Sequence, residues 1–336
     1  MTRRGGWRRL GRAPRFRYED SRGNPIEDER LARIESLVIP PGWREVWISP
    51  NPQAKLQATG VDRAGRTQYL YHPDFRAAQE VAKFERLVRF GELLPALREQ
   101  IRRDLRSGPY ELGWASGVAL TLINRAWFRV GSERHARSAR TYGITTLHKS
   151  HVDVRGDRLR FRFHTKNRTL VRTTLVDAKL AGAVRDLLSL PGGSRLFRFE
   201  RERELTNLTA PLLNAYIAEN LGEGFTAKDF RTWGGTLTAA IALARHDPPG
   251  SETEARRVVA AVMRLVGEEL GNTPAVARAS YVSPAVVEQY RAGITLERIG
   301  ANGNRSPSTL PRGLSREERA LLSLVRSWRM RKRLEV

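Results

Sequence analysis

The sequence contains no cysteine. Disulfide bonds and thiolate metal sites are therefore excluded. No uninterrupted apolar run is long enough to cross a bilayer, which excludes an integral membrane protein built from helices. The N-terminus is rich in arginine and lacks the apolar segment of a secretory signal. These absences predict a cytoplasmic protein without a membrane partner.

Motifs for nucleotide and metal chemistry are missing as well. No Gly-Lys dipeptide occurs in the chain, so a Walker-type phosphate loop cannot form and use of ATP is not expected. There is no His-Glu-x-x-His string, and the acidic residues are scattered, which argues against a two-metal nuclease site. The sequence therefore predicts neither a cofactor nor a metal.

What the chain has in excess is positive charge. It carries 59 lysines and arginines against 36 aspartates and glutamates, for a formal net charge of +23. Such an imbalance favours a polyanionic partner, which means nucleic acid or an anionic membrane surface. With 336 residues, 40% of them hydrophobic, the chain is long enough for a sizeable core divided between two domains.

The pattern along the chain predicts an α+β protein. Residues 1–20 hold seven arginines within their first 17 positions and are predicted to be a disordered basic arm. Alternating apolar and polar residues between turn signals predict a small antiparallel sheet in an N-terminal β-rich domain, residues 21–88. Residues 89–300 show helical spacing and predict a larger, mainly helical domain with a three-stranded β island between 151 and 176.

Two further expectations concern the C-terminal half. After residue 176 the pattern predicts helices alone, including one over 207–220 and one over 273–292. Residues 301–336 read as a Gly/Pro/Ser/Asn-rich linker followed by a basic helix.

Five polar residues stand out as candidates for chemistry on a phosphodiester. Tyr281 lies near a predicted helix end, nine residues after Asn272; Arg231 lies in a helix, Arg129 ends an apolar helix, and Lys166 lies at the tip of a predicted hairpin. Phosphoryl transfer depends mainly on positioning and on neutralising charge at the phosphate oxygens. Two arginines, a lysine and a hydroxyl nucleophile can therefore form a complete site.

Each residue taken alone has a plainer explanation. Arg129 can extend its charge to solvent, and a lysine at a hairpin tip is ordinarily solvated. Asn272 can cap the helix that begins at Thr273 and Pro274. A single tyrosine is more often part of a core or surface than a nucleophile. The set in its order carries more weight than any member.

That order resembles a known family. The pattern is carried by Phe128–Gly131, Tyr142–Leu147, Phe163–Lys166, Phe225–Thr236 and Gly271–Tyr281. Together these segments resemble the motifs of the type IB DNA topoisomerases, in particular the compact poxvirus-like and bacterial branch. The resemblance extends over roughly residues 25 to 295. It implies the DNA breaking-rejoining fold in the helical domain.

The resemblance also implies a mechanism. Tyr281 would attack a backbone phosphorus and form a 3′-phosphotyrosine, with supercoils relaxing before the strand is resealed, without ATP or metal. Arg129 and Arg231 would hold the non-bridging oxygens, and Lys166 would act as the general acid on the 5′-oxygen. Asn272 would donate a hydrogen bond to a phosphate oxygen.

The implied partner is double-stranded DNA. Gln68, Tyr69 and Tyr71 of the predicted sheet, together with Lys228, are expected to contact the duplex. The family resemblance implies a monomer clamped around DNA and a place in the cytoplasm, associated with the nucleoid.

Two departures and two rival interpretations accompany the resemblance. Thr165 replaces the glycine usual before the lysine, and Asn272 stands where poxviral members carry histidine. A tyrosine site-specific recombinase has the same catalytic order, but usually has histidine three residues before the second arginine, where this chain has Lys228. A non-catalytic DNA-binding protein would explain the charge but not the five residues.

Overall fold

The computed structural model describes residues 5–297 and 313–334. The chain divides into two compact units, Met1–Phe84 and Glu85–Val336. The sequence pattern predicts this boundary after residue 88, whereas the first unit ends at Phe84. Among the described residues, no helix is both long enough and apolar enough to traverse a bilayer.

The first unit is an antiparallel sheet with one short helix. Its elements are β1 (Trp7–Arg12), β2 (Arg15–Glu19), α1 (Asp28–Ser36), β3 (Arg44–Ile48), β4 (Leu56–Val61) and β5 (Thr67–Tyr71). The strand order is β2-β1-β3-β4-β5. One face of the sheet and α1 enclose a core in which Trp7, Ile34, Ile48 and Ala58 are buried.

The prediction of a disordered arm over residues 1–20 is wrong for residues 7–19. They form the β1–β2 hairpin, and β1 pairs with β3 through Trp7 and Arg8. The hairpin is ordered because Trp7 is buried in the core and because Arg9 donates hydrogen bonds to three backbone carbonyls between residues 39 and 43. Residues 1–4 of the predicted arm lie outside the described residues.

The second unit is mainly helical. Its described helices are α2 (Pro73–Asp104, which begins in the first unit), α3 (Leu112–Ala126), α4 (Glu133–Ala139), α5 (Ala178–Ser189), α6 (Ala210–Leu221), α7 (Ala227–Ala244), α8 (Glu252–Leu270), α9 (Pro274–Ser280), α10 (Pro284–Arg291) and α11 (Arg316–Leu334). Its strands are β6 (Val152–Arg155), β7 (Arg158–Thr165), β8 (Thr169–Val176), β9 (Arg198–Arg201) and β10 (Glu204–Asn207). The antiparallel sheet β6-β7-β8 is the predicted β island, and the α+β fold class is confirmed.

Two details of the C-terminal half were predicted wrongly. Residues 198–207 form the β9–β10 hairpin, so the following helix begins at Ala210, where Thr209 accepts a hydrogen bond from the backbone N–H of Leu212. The helix predicted over 273–292 is two helices, because Pro284 begins α10 and the residue before a proline avoids helical geometry. Of the linker predicted over 301–313, residues 301–312 lie outside the described residues.

The last described helix, α11, is hydrogen-bonded to α2 and α7 through Glu318. Glu318 of α11 accepts hydrogen bonds from both terminal nitrogens of Arg98, at 2.7 and 2.8 Å, and from the indole N–H of Trp233 at 3.3 Å. Trp233 is fully buried and packs near Phe90. Since Trp233 follows Arg231 by two residues in α7, this contact fixes the helix that carries a candidate catalytic arginine.

Candidate active site

The start of α7 is fixed by local hydrogen bonds. The backbone N–H of Thr226 donates to Asp229 Oδ2 at 2.8 Å, which is one half of a capping box. Arg86 of α2 pairs with the same carboxylate at 2.7 Å. This anchored helical turn places Lys228 on the exposed side and Arg231 on the buried side of α7.

Arg231 joins three segments. Its side chain is almost completely buried, with 4% of the residue exposed. One terminal nitrogen donates to the carbonyl of Trp127, and the other donates to the carbonyl of Leu270 at 2.8 Å. Burial lowers the pKa of Arg231, but a guanidinium remains charged in proteins. The fold therefore places a fixed positive charge between the end of α3 and the end of α8.

Two glycines allow this close packing. A Cβ at Gly234 would collide with the indole ring of Trp127, and a Cβ at Gly235 would lie 3.0 Å from the Cβ and backbone oxygen of Tyr281. The Trp-Gly-Gly string after Arg231 is thus needed for α7 to approach both the α3 end and the tyrosine segment.

Arg129 is the centre of a second hydrogen-bond network. Helix α3 ends because Trp127 adopts left-handed backbone geometry, with φ 53°, which turns the chain toward Arg129. One terminal nitrogen of Arg129 donates to the carbonyl of Gly271 at 2.8 Å and to Asn272 Oδ1 at 2.7 Å. The other donates to Thr165 Oγ1 at 3.4 Å. Arg129 therefore connects the hairpin that carries Lys166 with the loop before α9.

Asn272 is not the cap of the following helix. The cap is Thr273, whose hydroxyl accepts from the backbone N–H of Val276, while Gly271 ends α8 in left-handed geometry. The amide oxygen of Asn272 accepts from Arg129, and its amide nitrogen donates to the carbonyl of Leu270 at 3.3 Å. Its amide oxygen thereby holds Arg129, while the expected donation from its amide nitrogen to a phosphate oxygen stays a prediction.

Tyr281 lies at the C-terminal end of α9, half-buried beside Arg231. The guanidinium carbon of Arg231 is 5.0 Å from the centroid of the tyrosine ring. The backbone oxygen of Tyr281 accepts from the hydroxyl of Thr236 at 3.1 Å, and that hydroxyl accepts in turn from the N–H of Ser283. Thr236, which is not among the residues predicted from the sequence, therefore holds the tyrosine segment on α7.

The surroundings of Tyr281 change its acidity. Burial is the largest single effect and would raise the pKa of the phenol. The positive charges of Arg231, Arg129 and Lys228 together outweigh it, so the pKa of Tyr281 lies below the ordinary tyrosine value. The phenolate is therefore easier to form here than in a free tyrosine.

Lys166 occupies the tip of the β7–β8 hairpin. Thr165 pairs with Thr169, which leaves a turn of Lys166, Asn167 and Arg168. Left-handed geometry falls on Asn167 and Arg168, whereas Thr165 is extended and buried. A glycine is therefore not required before Lys166. The lysine side chain is exposed and makes no hydrogen bond or ion pair with any described residue.

The predicted DNA-contacting residues of the first unit lie on β5. Tyr69 and Tyr71 are 51% and 38% exposed, and their rings are stacked with centroids 6.2 Å apart. Gln68 donates its amide N–H to Asp62 Oδ2 at 2.9 Å. The two tyrosines thus form an exposed aromatic face, while Gln68 supports the turn before β5.

A cleft of about 290 Å³ opens beside the two arginines of the second unit. Its lining includes Trp127, Arg129, Thr165, Arg231 and Gly271. Within residues 5–297 and 313–334, no group of three or more His, Asp or Glu side chains is arranged to hold a metal ion. The charged groups that line this cleft are guanidiniums together with Glu268 and Glu269 at its edge.

The motifs and this geometry agree with comparisons to known proteins. Residues 72–298, more than half of the chain, match the family model described as the catalytic core of eukaryotic DNA topoisomerase I. Residues 15–62 match the model of the bacterial DNA topoisomerase IB N-terminal domain. The chain belongs to the type IB DNA topoisomerases.

Relatives of viral origin cover most of this topoisomerase. DNA topoisomerase 1B of Acanthamoeba polyphaga mimivirus is 29% identical over 282 residues, which are 82% of this chain and 84% of the viral protein. DNA topoisomerase 1B of vaccinia virus (strain Copenhagen) is 21% identical over 277 residues, 80% and 85% of the two chains. The catalytic-core match includes all five candidate residues but neither β1 nor α11.

The contact between Asn272 and Arg129 leads to a prediction for this topoisomerase. We expect Asn272→Ala to slow single-turnover DNA cleavage by roughly 10²-fold, because Arg129 loses its side-chain acceptor and its fixed position. Asn272→His should keep substantial activity and add a step with a pKa near ~6.5 to the pH profile. The wild-type rate should show no such step, since an amide does not titrate. Cleavage by Asn272→Ala at the wild-type rate would show that the amide is only part of the loop.

Proposed function

We propose that this chain relaxes supercoiled duplex DNA by transient cleavage of one strand through a covalent bond to Tyr281. The single observation that carries the proposal is the position of the Tyr281 phenol among the charges of Arg231, Arg129 and Lys228, which lower its pKa. A tyrosine is a weak nucleophile at neutral pH unless its anion is stabilised. The three cations supply that stabilisation.

In the proposed reaction the phenolic oxygen of Tyr281 forms a bond to phosphorus while the bond from phosphorus to the 5′-oxygen breaks. The phenolic proton passes to solvent, and Lys166 gives a proton to the departing 5′-oxygen. The strand is left with a 3′-phosphotyrosine and a free 5′-hydroxyl. Attack by that hydroxyl reverses both steps. The ester conserves the energy of the broken bond, so no nucleotide is consumed.

The two arginines act on the charge that develops at phosphorus. Arg231 and Arg129 are held by the backbone carbonyls of Trp127, Leu270 and Gly271. Donors fixed in advance stabilise a transition state without reorganising during the reaction. The exposure of Lys166 at a hairpin tip supports its role as an acid that reaches into a groove of DNA.

We propose that residues outside the catalytic set bind the duplex. Tyr69 and Tyr71 offer apolar and hydroxyl contacts, Lys228 a cation, and the net charge of +23 a general attraction to phosphates. Gln68 donates one amide N–H to Asp62, and its second N–H and its amide oxygen are proposed to contact the duplex. We further propose that the enzyme acts as a monomer clamped around the duplex and works in the cytoplasm on nucleoid DNA.

The test is relaxation of a supercoiled plasmid that contains no recombination site, in excess EDTA and without nucleotide. We expect complete relaxation, and a covalent protein–DNA adduct after denaturation, because the proposed steps use only side chains of this chain. A strict requirement for magnesium or ATP would contradict the proposal. DNA binding without an adduct would favour a non-catalytic DNA-binding protein, and strand exchange only at specific sites would favour a recombinase.

A further inference from the structure

The hairpin formed by β1 and β2 has two different faces. Trp7 and Tyr18 point to the core of the first unit and pack there. The opposite face is exposed and carries four arginines. We call it the arginine face: Arg8, Arg12, Arg15 and Arg17. Their placement on one side follows from the pairing register, in which residues directly opposite each other share a face.

The arginine face has no partners within the part of the chain that the structure describes. None of its four guanidiniums forms a hydrogen bond or an ion pair there. Arg9, between them in sequence, behaves differently: it donates to the carbonyls of Ile39, Pro40 and Trp43 and lies over the ring of Phe16. Arg9 therefore stabilises the first unit, whereas the guanidiniums of the arginine face are available to bind a ligand.

This arrangement does not help the hairpin to fold. Arg12 lies directly opposite Arg15, and like charges opposite each other destabilise a strand pair. Glu19, opposite Arg8, is the only acidic residue of β1 and β2. Charges on an edge strand do prevent unwanted strand pairing, and β2 is an edge strand. Arg15 and Arg17 of β2 are sufficient to prevent such pairing. Protection of the edge therefore does not explain Arg8 and Arg12, which lie on the inner strand β1.

We propose that the arginine face is a sequence-independent binding surface for the phosphates of duplex DNA, additional to the β5 tyrosines and the catalytic residues. The inference rests on the proposed function, which makes duplex DNA the substrate. It concerns a part of the chain that the family matches reach only in part, since the N-terminal match begins at residue 15, after β1.

The dimensions of the hairpin suit a phosphate backbone. Arg8 and Arg12 are four residues apart, which is ~13 Å along a strand. Along the helix axis one DNA strand advances ~3.4 Å per phosphate, so this distance, laid parallel to the axis, corresponds to about four phosphates. A guanidinium pairs with a phosphate through two parallel hydrogen bonds. Contacts to phosphate oxygens carry no direct sequence information, so binding through these guanidinium–phosphate pairs is expected to ignore sequence.

The test measures DNA binding without cleavage. In protein carrying Tyr281→Phe, we compare the intact arginine face with a variant in which all four arginines are alanine, on duplexes of random sequence. Each phosphate contact adds ~0.9 to the slope of log affinity against log salt. We expect the variant to lose roughly 2 to 4 from the magnitude of this slope. The affinity of the four-alanine variant for DNA should be roughly 10²-fold lower than that of the protein with the intact arginine face at about 0.15 M salt. Near about 1 M salt the two affinities should be equal.

Two controls accompany the variant. Replacing the same four residues by lysine keeps the charge and should keep most of the slope. Replacing Arg22 and Arg30, which are also exposed in the first unit but stand among acidic residues, should change the slope little. Because all substituted side chains are exposed, the thermal unfolding temperature should stay within a few degrees of the parent.

An unchanged salt slope in the four-alanine variant would overturn the inference. Binding of both proteins to phosphatidylserine vesicles is measured as well. If the four-alanine variant lost binding to the vesicles but kept its binding to DNA, the inference would also be overturned. Failure of the proposed function would look different. It would appear as absence of plasmid relaxation and of a covalent adduct in wild-type protein, neither of which enters the binding measurement.

Discussion

Tyr281→Phe is expected to abolish plasmid relaxation, lowering its rate by roughly 10⁴-fold or more, while duplex binding stays within about two-fold of wild type. The phenolic oxygen is the atom proposed to bond to phosphorus, and phenylalanine cannot supply it. Affinity for DNA comes from many basic side chains, which the substitution leaves in place. The measurements are relaxation of a supercoiled plasmid, recovery of covalent adduct after denaturation, and equilibrium binding to a duplex.

A matched control separates loss of the nucleophile from loss of a tyrosine in general. Tyr110 is 47% exposed in the same unit and lies outside the site. Tyr110→Phe should relax DNA as the wild type does. If Tyr281→Phe retained relaxation close to wild type, or still formed an adduct, Tyr281 could not be the nucleophile.

Arg231→Ala is expected to have two separable effects. Cleavage under single-turnover conditions should slow by at least roughly 10²- to 10³-fold, because a fixed donor to the phosphate is lost. The rise of the cleavage rate with pH should also move to higher pH. Among the positive charges near Tyr281, that of Arg231 lowers the pKa of the phenol most. Its removal therefore raises that pKa, so that less phenolate is present at a given pH.

Arg231→Lys distinguishes charge from geometry. Lysine restores a positive charge near the phenol, so the pH limb should return toward its wild-type position. Its ammonium cannot reproduce the planar contacts to the carbonyls of Trp127 and Leu270, so the rate should remain low. Arg264→Ala, at an exposed position of α8, serves as the control and should change neither quantity. A pH profile for Arg231→Ala that coincides with wild type would mean that this arginine does not act on Tyr281.

The α+β class, the β island and the helices could be predicted because their signals are local. A helix is recorded in apolar spacing and in caps such as Thr226 and Thr209, which act within one turn. The same reasoning failed at Tyr281, where one helix was predicted across Pro284. The proline was visible in the sequence, but apolar spacing continues on both sides of the break, and the α9–α10 corner is held by Thr236 of α7.

For the site, the sequence by itself determined which residues are candidates and in what order they occur, and family membership followed from that order. Their catalytic roles stay predictions. Tertiary structure decided what each side chain contacts: Asn272 holds Arg129 instead of capping α9, and Thr165 supports Arg129 without needing to be glycine. It also decided that the basic N-terminus is a hairpin, because Trp7 and Arg9 are fixed by partners some thirty residues or more away. Contacts across such distances leave no periodic trace in the local sequence, so only the folded chain reveals them.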